Sequence, residues 1–566
     1  MKKLLLGALA PAALAMGLAG PAAAKDLLFL SEDVPPSLNY DGPNASAPPT
    51  QAGIVNLMDP LIYYASSTLE DGTVKLDVNK FEGRLAKSWS YDASTLTWTF
   101  NLRRDVKGCN GMTFDADDVI YTMQRAKSTS GQAPVGWFLS NVASIKGFTA
   151  AVFGDKPENI EAKILRDDEV KKVDQYTVQF TQSAENKLFL PVLTIFALYI
   201  FDKETMEEHA TEDDPWSHKF ANNDGVAGFG PYCLTRWEKD KEFVVQANPD
   251  YYRGKADIDR VIMRKVPQSG MRLINLRSSG SSGAATLVEH LTPKEYDSLK
   301  KIKDVKVVSV DGNASTYVHM NWQTKPWDNI KLREAVAYAI PYEKIMKDVF
   351  FGEATKYNGV MPAFYPGAHK VDFERTTDIP KAKKLLAEAG FPNGKGLEAF
   401  EGAFHLTYTT EVENILGPAA TILQTELVKL GIPVVLNPIP QTQFSDRELV
   451  KKDLPFALIN HSKPIGVEAG YAIQLLYVSR DKGGLSNYSL YSNDDVDKMW
   501  LESAKNEPDD TKRNNVMAQI QEILMKEVVI APLVENRLQW AMTDRVSGVG
   551  FHPEQALRWH DLTLAD

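Results

Sequence analysis

Hydrophobic and polar residues alternate with two different periods along this chain, and the switches between them mark its elements. Leu96, Trp98, Phe100 and Leu102 alternate with Thr97, Thr99 and Asn101, a period of two that predicts a half-buried strand. Arg103-Arg104-Asp105 ends the alternation, and Lys107-Gly108-Cys109-Asn110-Gly111 supplies turn chemistry. Asp115 then has the side chain of a helix cap, with Asp118 three residues on and Val119, Ile120 and Met123 on the inner face. Similar patterns recur. Residues 27–30 and 174–180 read as strands, and the almost wholly apolar 188–201 reads as a buried segment too short to span a bilayer. Leu332, Val336, Ala339 and Ile340 form one apolar helical stripe, and 381–390 is a helix stopped by Gly390 and Pro392. Helices over 416–430 and 512–525 interleave with strands over 432–436, 455–459 and 528–533. The Ser/Gly run 278–283 reads as a flexible loop, and Thr292-Pro293 opens the helix after it. Strands interleaved with helices predict an α/β fold.

Composition narrows the class. The 566 residues are 44% hydrophobic and 24% charged, with 63 Lys and Arg against 74 Asp and Glu, a formal charge of −11. This is a soluble globular composition, long enough for more than one domain. Without a Lys/Arg block it argues against nucleic acid as a partner, because phosphate contact needs a basic face. Lys2 and Lys3, the apolar stretch 4–18 and Ala22-x-Ala24 predict a cleaved secretory leader over residues 1–24. No cysteine stands at the junction to carry a lipid, so a free periplasmic product is expected.

The chemistry searched for is mostly missing. There is no Gly-x-Ser-x-Gly, His-Glu-x-x-His, Cys-x-x-Cys or dinucleotide fingerprint, so no catalytic residue, cofactor or metal is predicted. Asp117-Asp118 and Asp494-Asp495 lie at predicted helix starts, where the helix dipole accounts for them. Cys109 and Cys233 are the only cysteines, and the sequence leaves a disulfide and two buried free thiols equally open.

In order along the chain stand Leu85-Ala86, Ser88-Trp89, Thr97, Thr99-Phe100, Leu102-Arg103, Val106-Lys107, Gly111, Phe114, Ala116, Asp118-Val119 and Tyr121. Gly228, Gly230-Pro231-Tyr232, Trp237, Asn248-Pro249, Tyr251-Tyr252 and Gly254 make a second block, and residues 317–366 a third. Together they resemble the family 5 extracytoplasmic solute-binding proteins, which serve peptide and nickel ABC importers. The resemblance implies a periplasmic-binding-protein-like fold (type II, cluster C), with two main α/β lobes, a hinge and a smaller inserted domain. Domain I would comprise 25–62, 190–313 and 531–566, domain II 63–189 and domain III 314–530. It further implies a non-enzymatic monomer that passes a peptide or peptide-like solute to an ABC permease and ATPase complex. An opine-like conjugate, an oligosaccharide or another anionic or neutral solute fits the same role. Nickel fits less well without clustered metal ligands. A chemosensory binding protein and a periplasmic hydrolase are the competing classes.

By the same resemblance the ligand contacts are expected at Glu32, in the proline-containing loop after the opening strand, and at Trp137, beyond the first long helix. Asn321 and Trp322 at the end of a cleft-facing strand join them, with His461, Lys463 and Tyr471 in the segment where specificity is expected. Peptide-binding members place an Asp just after the strand matching 455–459, to pair with the peptide ammonium. Here Pro464 stands at that position, between Lys463 and Ile465. A buried ammonium without a partner carries a penalty of several kcal/mol. Lys463 therefore favours an anionic or neutral ligand, unless Glu32 or Glu468 supplies the charge.

Overall fold

The computed structural model describes residues 24–565, except 43, 46, 130–134, 150–163, 401 and 463. One eleven-stranded sheet runs through it. Its strands are β1 (Asp26–Ser31), β2 (Tyr232–Glu238), β3 (Glu242–Ala247), β4 (Arg260–Lys265), β5 (Thr286–Val288), β6 (Val305–Met320), β7 (Ala354–Lys356), β8 (His405–Thr409), β9 (Val435–Ile439), β10 (Phe456–Ser462) and β11 (Ile530–Thr543). The order is β9-β8-β10-β6-β11-β5-β1-β4-β3-β2, with β7 also paired to β11. Two parallel cores, β5-β1-β4 and β9-β8-β10, are linked through the antiparallel pair β6/β11.

β6 and β11, at 16 and 14 residues, belong to both cores. Val305–Asp311 pair with Thr543–Arg537, the register shifts between Asp311 and Ser315, and pairing resumes with Ser315 opposite Glu535. An irregularity of this kind bends and twists a strand pair. Gly312 sits inside it, where a Cβ would lie 2.8 Å from the Asn536 carbonyl oxygen. The bend divides the sheet into two lobes.

Each lobe is held by an apolar layer that the sequence patterns supply. In the second lobe Leu332, Val336 and Ala339 of the Ile330–Ala339 helix are fully buried against Val318, Met320, Leu406 and Phe456. Burial of each large side chain stabilises by roughly 1.5–3 kcal/mol. The inserted unit carries a four-stranded antiparallel sheet of Ala86–Asp92, Thr97–Leu102, Thr177–Thr181 and Val170–Asp174. Its helix Ala116–Ser128 opens with the capping box anticipated from the spacing of Asp115 and Asp118. Among the described residues no helix is long and apolar enough to cross a membrane.

Four expectations change. Residues 174–180 form a turn and strand, since Asp174 Oδ1 accepts the Tyr176 N–H (2.8 Å) and reverses the chain into Thr177–Thr181. The Ser/Gly run is the last part of the helix Ser269–Ser282, ended by Gly283 at φ 74°. Strand 432–436 moves to β9, and β11 continues ten residues past 533. Cys109 and Cys233 are disulfide-bonded, with Cα atoms 5.6 Å apart, tying the inserted unit to β2.

Candidate ligand cleft

The carboxyl ends of the parallel strands of both lobes face one cleft of about 650 Å³. Ser31 and Glu32 follow from β1, Pro267 from β4, and Glu289 and His290 from β5. Across from them stand Glu411 beyond β8, Gln441 beyond β9 and Asn460 of β10. Ala314 and Thr316 of β6, with Asn536, Leu538 and Trp540 of β11, make the floor at the bend. Open α/β sheets bind ligands outside the carboxyl ends of their strands, and this volume is in the range of small-molecule sites.

Hydrogen bonds within the wall fix its shape. Ser31 Oγ donates to Glu289 Oε1 (3.0 Å). Arg272 ties two strand-end loops together: Nη1 donates to the carbonyls of Val266 (2.6 Å) and Pro267 (2.8 Å), Nη2 to that of His290 (2.7 Å). The residue is 1% exposed, and burial lowers its pKa although the carboxylate of Glu32 opposes this. Tyr296 Oη donates to the Gln539 carbonyl (2.7 Å), joining the first lobe to the floor. On the opposite wall both oxygens of Glu411 accept the Gln441 N–H, at 3.0 and 2.9 Å. Asn536 accepts from Thr316 Oγ1 (2.9 Å) and donates to the Asn460 carbonyl (3.3 Å).

Of the residues expected from sequence, Glu32 lines this cleft, exposed and without a hydrogen bond among the described residues. Trp137 is 1% exposed, its Nε1 donating to the Gly483 carbonyl (3.1 Å). Tyr471, equally buried, stacks on Phe138 at 6.4 Å. These two meet where the inserted unit touches the second lobe, away from the open cleft. Asn321 donates to the Lys452 carbonyl (3.1 Å) and accepts the Gln323 N–H (2.9 Å). Trp322 packs under the Arg333 guanidinium (3.6 Å) and against Tyr491. His461 follows Asn460 in β10, and Lys463 lies outside the described residues. Glu468 is not the spare carboxylate that sequence allowed: it caps the Ala469–Leu476 helix and pairs with Arg513 at 2.6 Å.

Arg272, Glu289, Glu411, Gln441 and Trp540 had not been singled out. Their shared signal is position at a strand end or beside one, which gathers them only once strand order is known. The one potential metal-binding cluster among the described residues is Asp118, Asp202 and Glu204. Its two buried members are already occupied. Asp118 accepts the N–H groups of Asp115 (2.8 Å) and Lys203 (2.9 Å), and Asp202 that of Thr205 (2.9 Å).

The family model for bacterial extracellular solute-binding proteins, family 5 Middle, matches residues 80–482. The chain belongs to that family. Among its relatives, the probable D,D-dipeptide-binding periplasmic protein DdpA of Escherichia coli (strain K12) is 26% identical over 473 residues, 83% of this chain and 82% of DdpA. The glutathione-binding protein GsiB of Salmonella paratyphi A (strain ATCC 9150 / SARB42) is 25% identical over 522 residues, 90% of this chain and 92% of GsiB. The solved structure of the ABC transporter-associated periplasmic binding protein DppA from Helicobacter pylori, in complex with peptide STSA, matches with a TM-score of 0.74 at 22% identity. It covers 96% of this chain and 98% of that one. This family 5 chain therefore has the periplasmic-binding-protein fold, and the relatives named are binding proteins.

Proposed function

We propose that the chain is the periplasmic substrate-binding component of an ABC importer. As a monomer, it captures a peptide or peptide-like solute between its lobes and delivers it to an inner-membrane permease and ATPase complex. The observation that carries this reading is the convergence of strand ends from both lobes on one cleft, directly over the bend in β6 and β11. Domain I (25–62, 190–313, 531–566), domain II (63–189) and domain III (314–530) are then the bodies that this bend lets move. The role is binding without turnover, since a closing cleft needs shape and placed polar groups, not a nucleophile.

Native mass spectrometry of the purified protein should reveal a co-purifying solute, and fragmentation should identify it as peptide-like. Small-angle scattering should then show a smaller radius of gyration in the saturated protein than in protein stripped by unfolding and refolding. An unchanged radius with a solute demonstrably bound refutes the two-lobe mechanism.

A further inference from the structure

The charges on the cleft walls are unevenly matched. Two of the five lining carboxylates have their own cation: Asp33 meets Lys265 at 3.0 Å and Glu353 meets Lys300 at 2.6 Å. Glu32, Glu289 and Glu411 have no Lys or Arg nitrogen within 4.0 Å among the described residues; His290 Nδ1 lies 3.8 Å from Glu289, and the two lining arginines are engaged elsewhere, Arg272 with three carbonyls and Arg537 with the Ser309 carbonyl and Asp311 (3.7 Å). Glu32 and Glu289 stand on the first-lobe wall and Glu411 on the facing one. Closure moves these carboxylates toward each other while expelling water, which strengthens their repulsion unless a cation lies between them.

Independently, the cleft holds buried donors without acceptors. Arg272, 1% exposed, has an unpartnered Nε, and Gln539 an unpartnered Nε2. Such groups are satisfied by carbonyl or carboxylate oxygens, and buried donors rarely stay orphaned. Trp540 on the floor adds an aromatic ring, a surface that suits cations.

Building on the peptide-binding reading above, we propose that this cleft selects solutes of net positive charge, namely small peptides with a lysine- or arginine-type side chain. The cationic group sits among Glu32, Glu289 and Glu411, and backbone oxygens face Arg272 and Gln539. This reverses the sign of ligand suggested by Lys463.

The test is calorimetric titration of the stripped full chain with Ala-Lys-Ala, Ala-Ala-Ala and Ala-Glu-Ala. Ala-Lys-Ala should bind at least about tenfold more tightly than Ala-Ala-Ala, and Ala-Glu-Ala more weakly than either. In the double variant Glu32→Gln/Glu411→Gln the ratio of Ala-Lys-Ala to Ala-Ala-Ala affinity should shrink to within about threefold. Equal affinities, a preference for Ala-Glu-Ala, or a lysine preference that survives the double substitution overturns the charge proposal and leaves peptide binding standing. If none of the three binds, the peptide reading fails. The net charge of the co-purifying solute then decides: a cation supports the acidic cleft, and a neutral or anionic solute overturns it.

Discussion

Replacing Cys109 and Cys233 by serine removes a cross-link whose contribution follows from the structure. The bond closes a loop with a sequence separation of 124, which contains most of the inserted unit. For a loop of that length, unfolded-chain entropy gives a stabilisation of about 5 kcal/mol. The native arrangement does not rest on the bond alone. Asn248 donates to the Lys107 carbonyl (3.3 Å), Asn110 to Asp202 (3.2 Å), and Phe114 packs on Phe229 at 5.1 Å. The substitution should therefore act through the unfolded state and leave ligand affinity unaltered. With an unfolding entropy of ~2.1 cal/mol/K per residue, the midpoint should fall by about 4 °C if the whole chain melts together. The fall is about 7 °C if the first lobe and inserted unit melt as a separate block. Differential scanning calorimetry of the oxidised protein and the double variant measures this, and a reductant on the wild type should reproduce it. In the two-block case the second-lobe transition should stay where it is. A fall below about 1 °C would refute the entropic reasoning, and one above about 15 °C would show that the bond holds the native geometry itself.

Three other perturbations test the electrostatics and the bend. Arg125→Met strands Asp41, now paired bidentately at 2.8 and 2.9 Å with both side chains essentially buried, and should destabilise by about 3–5 kcal/mol in urea titrations at pH 7. Burial alone would raise the Asp41 pKa, but Arg125 holds it below the usual value. Its contribution is thus present above about pH 4 and lost on further acidification, a loss that the variant should largely lack. Burial pushes Glu535, beside the bend, up to about 7, although the Ala363 N–H (3.0 Å) opposes the shift. A raised carboxyl pKa means the folded state holds the extra proton, so stability should fall between about pH 4.3 and 7, by at most about 4 kcal/mol. Glu535→Gln should flatten that slope in urea midpoints compared at pH 5 and 8. Gly312→Val places a Cβ 2.8 Å from the Asn536 oxygen and should destabilise by about 1–3 kcal/mol. The same variant should reduce the ligand-dependent change in radius of gyration.

What was legible in the sequence was local. The Asp115–Asp118 capping box and the Leu332–Val336–Ala339 stripe each depend on residues within a few turns of one another. The cysteine pairing depends on the approach of two distant chain segments, which no local pattern records. The 278–283 run was misread because Gly and Ser are weak helix formers. Packing overrides that weakness: Leu276 is fully buried and Arg272 of the same helix is anchored to three carbonyls. β11 was cut short because its polar stretch Glu535–Gln539 crosses the bend, where no single face stays buried. Family resemblance led to Glu32 on the cleft wall, yet its aromatic candidates Trp137 and Tyr471 pack between lobes. Arg272, Glu289 and Glu411 share no motif. Only strand order puts them around one space.

The balance across the lobe interface shows why facing charges matter more than total charge. Direct polar ties between the second lobe and the rest of the chain include Trp137 to Gly483, Val467 N–H to Tyr64 Oη (3.3 Å) and the exposed Lys187–Asp510 pair. A ligand shifts an equilibrium between an open and a closed form only as far as its differential affinity for the two allows. A solute touching one wall has none, however tightly it binds. One that sets a cation between Glu32 and Glu289 on the first lobe and Glu411 on the second gains its Coulombic attraction to the far wall only when the cleft shuts. Recognition and closure then become a single event.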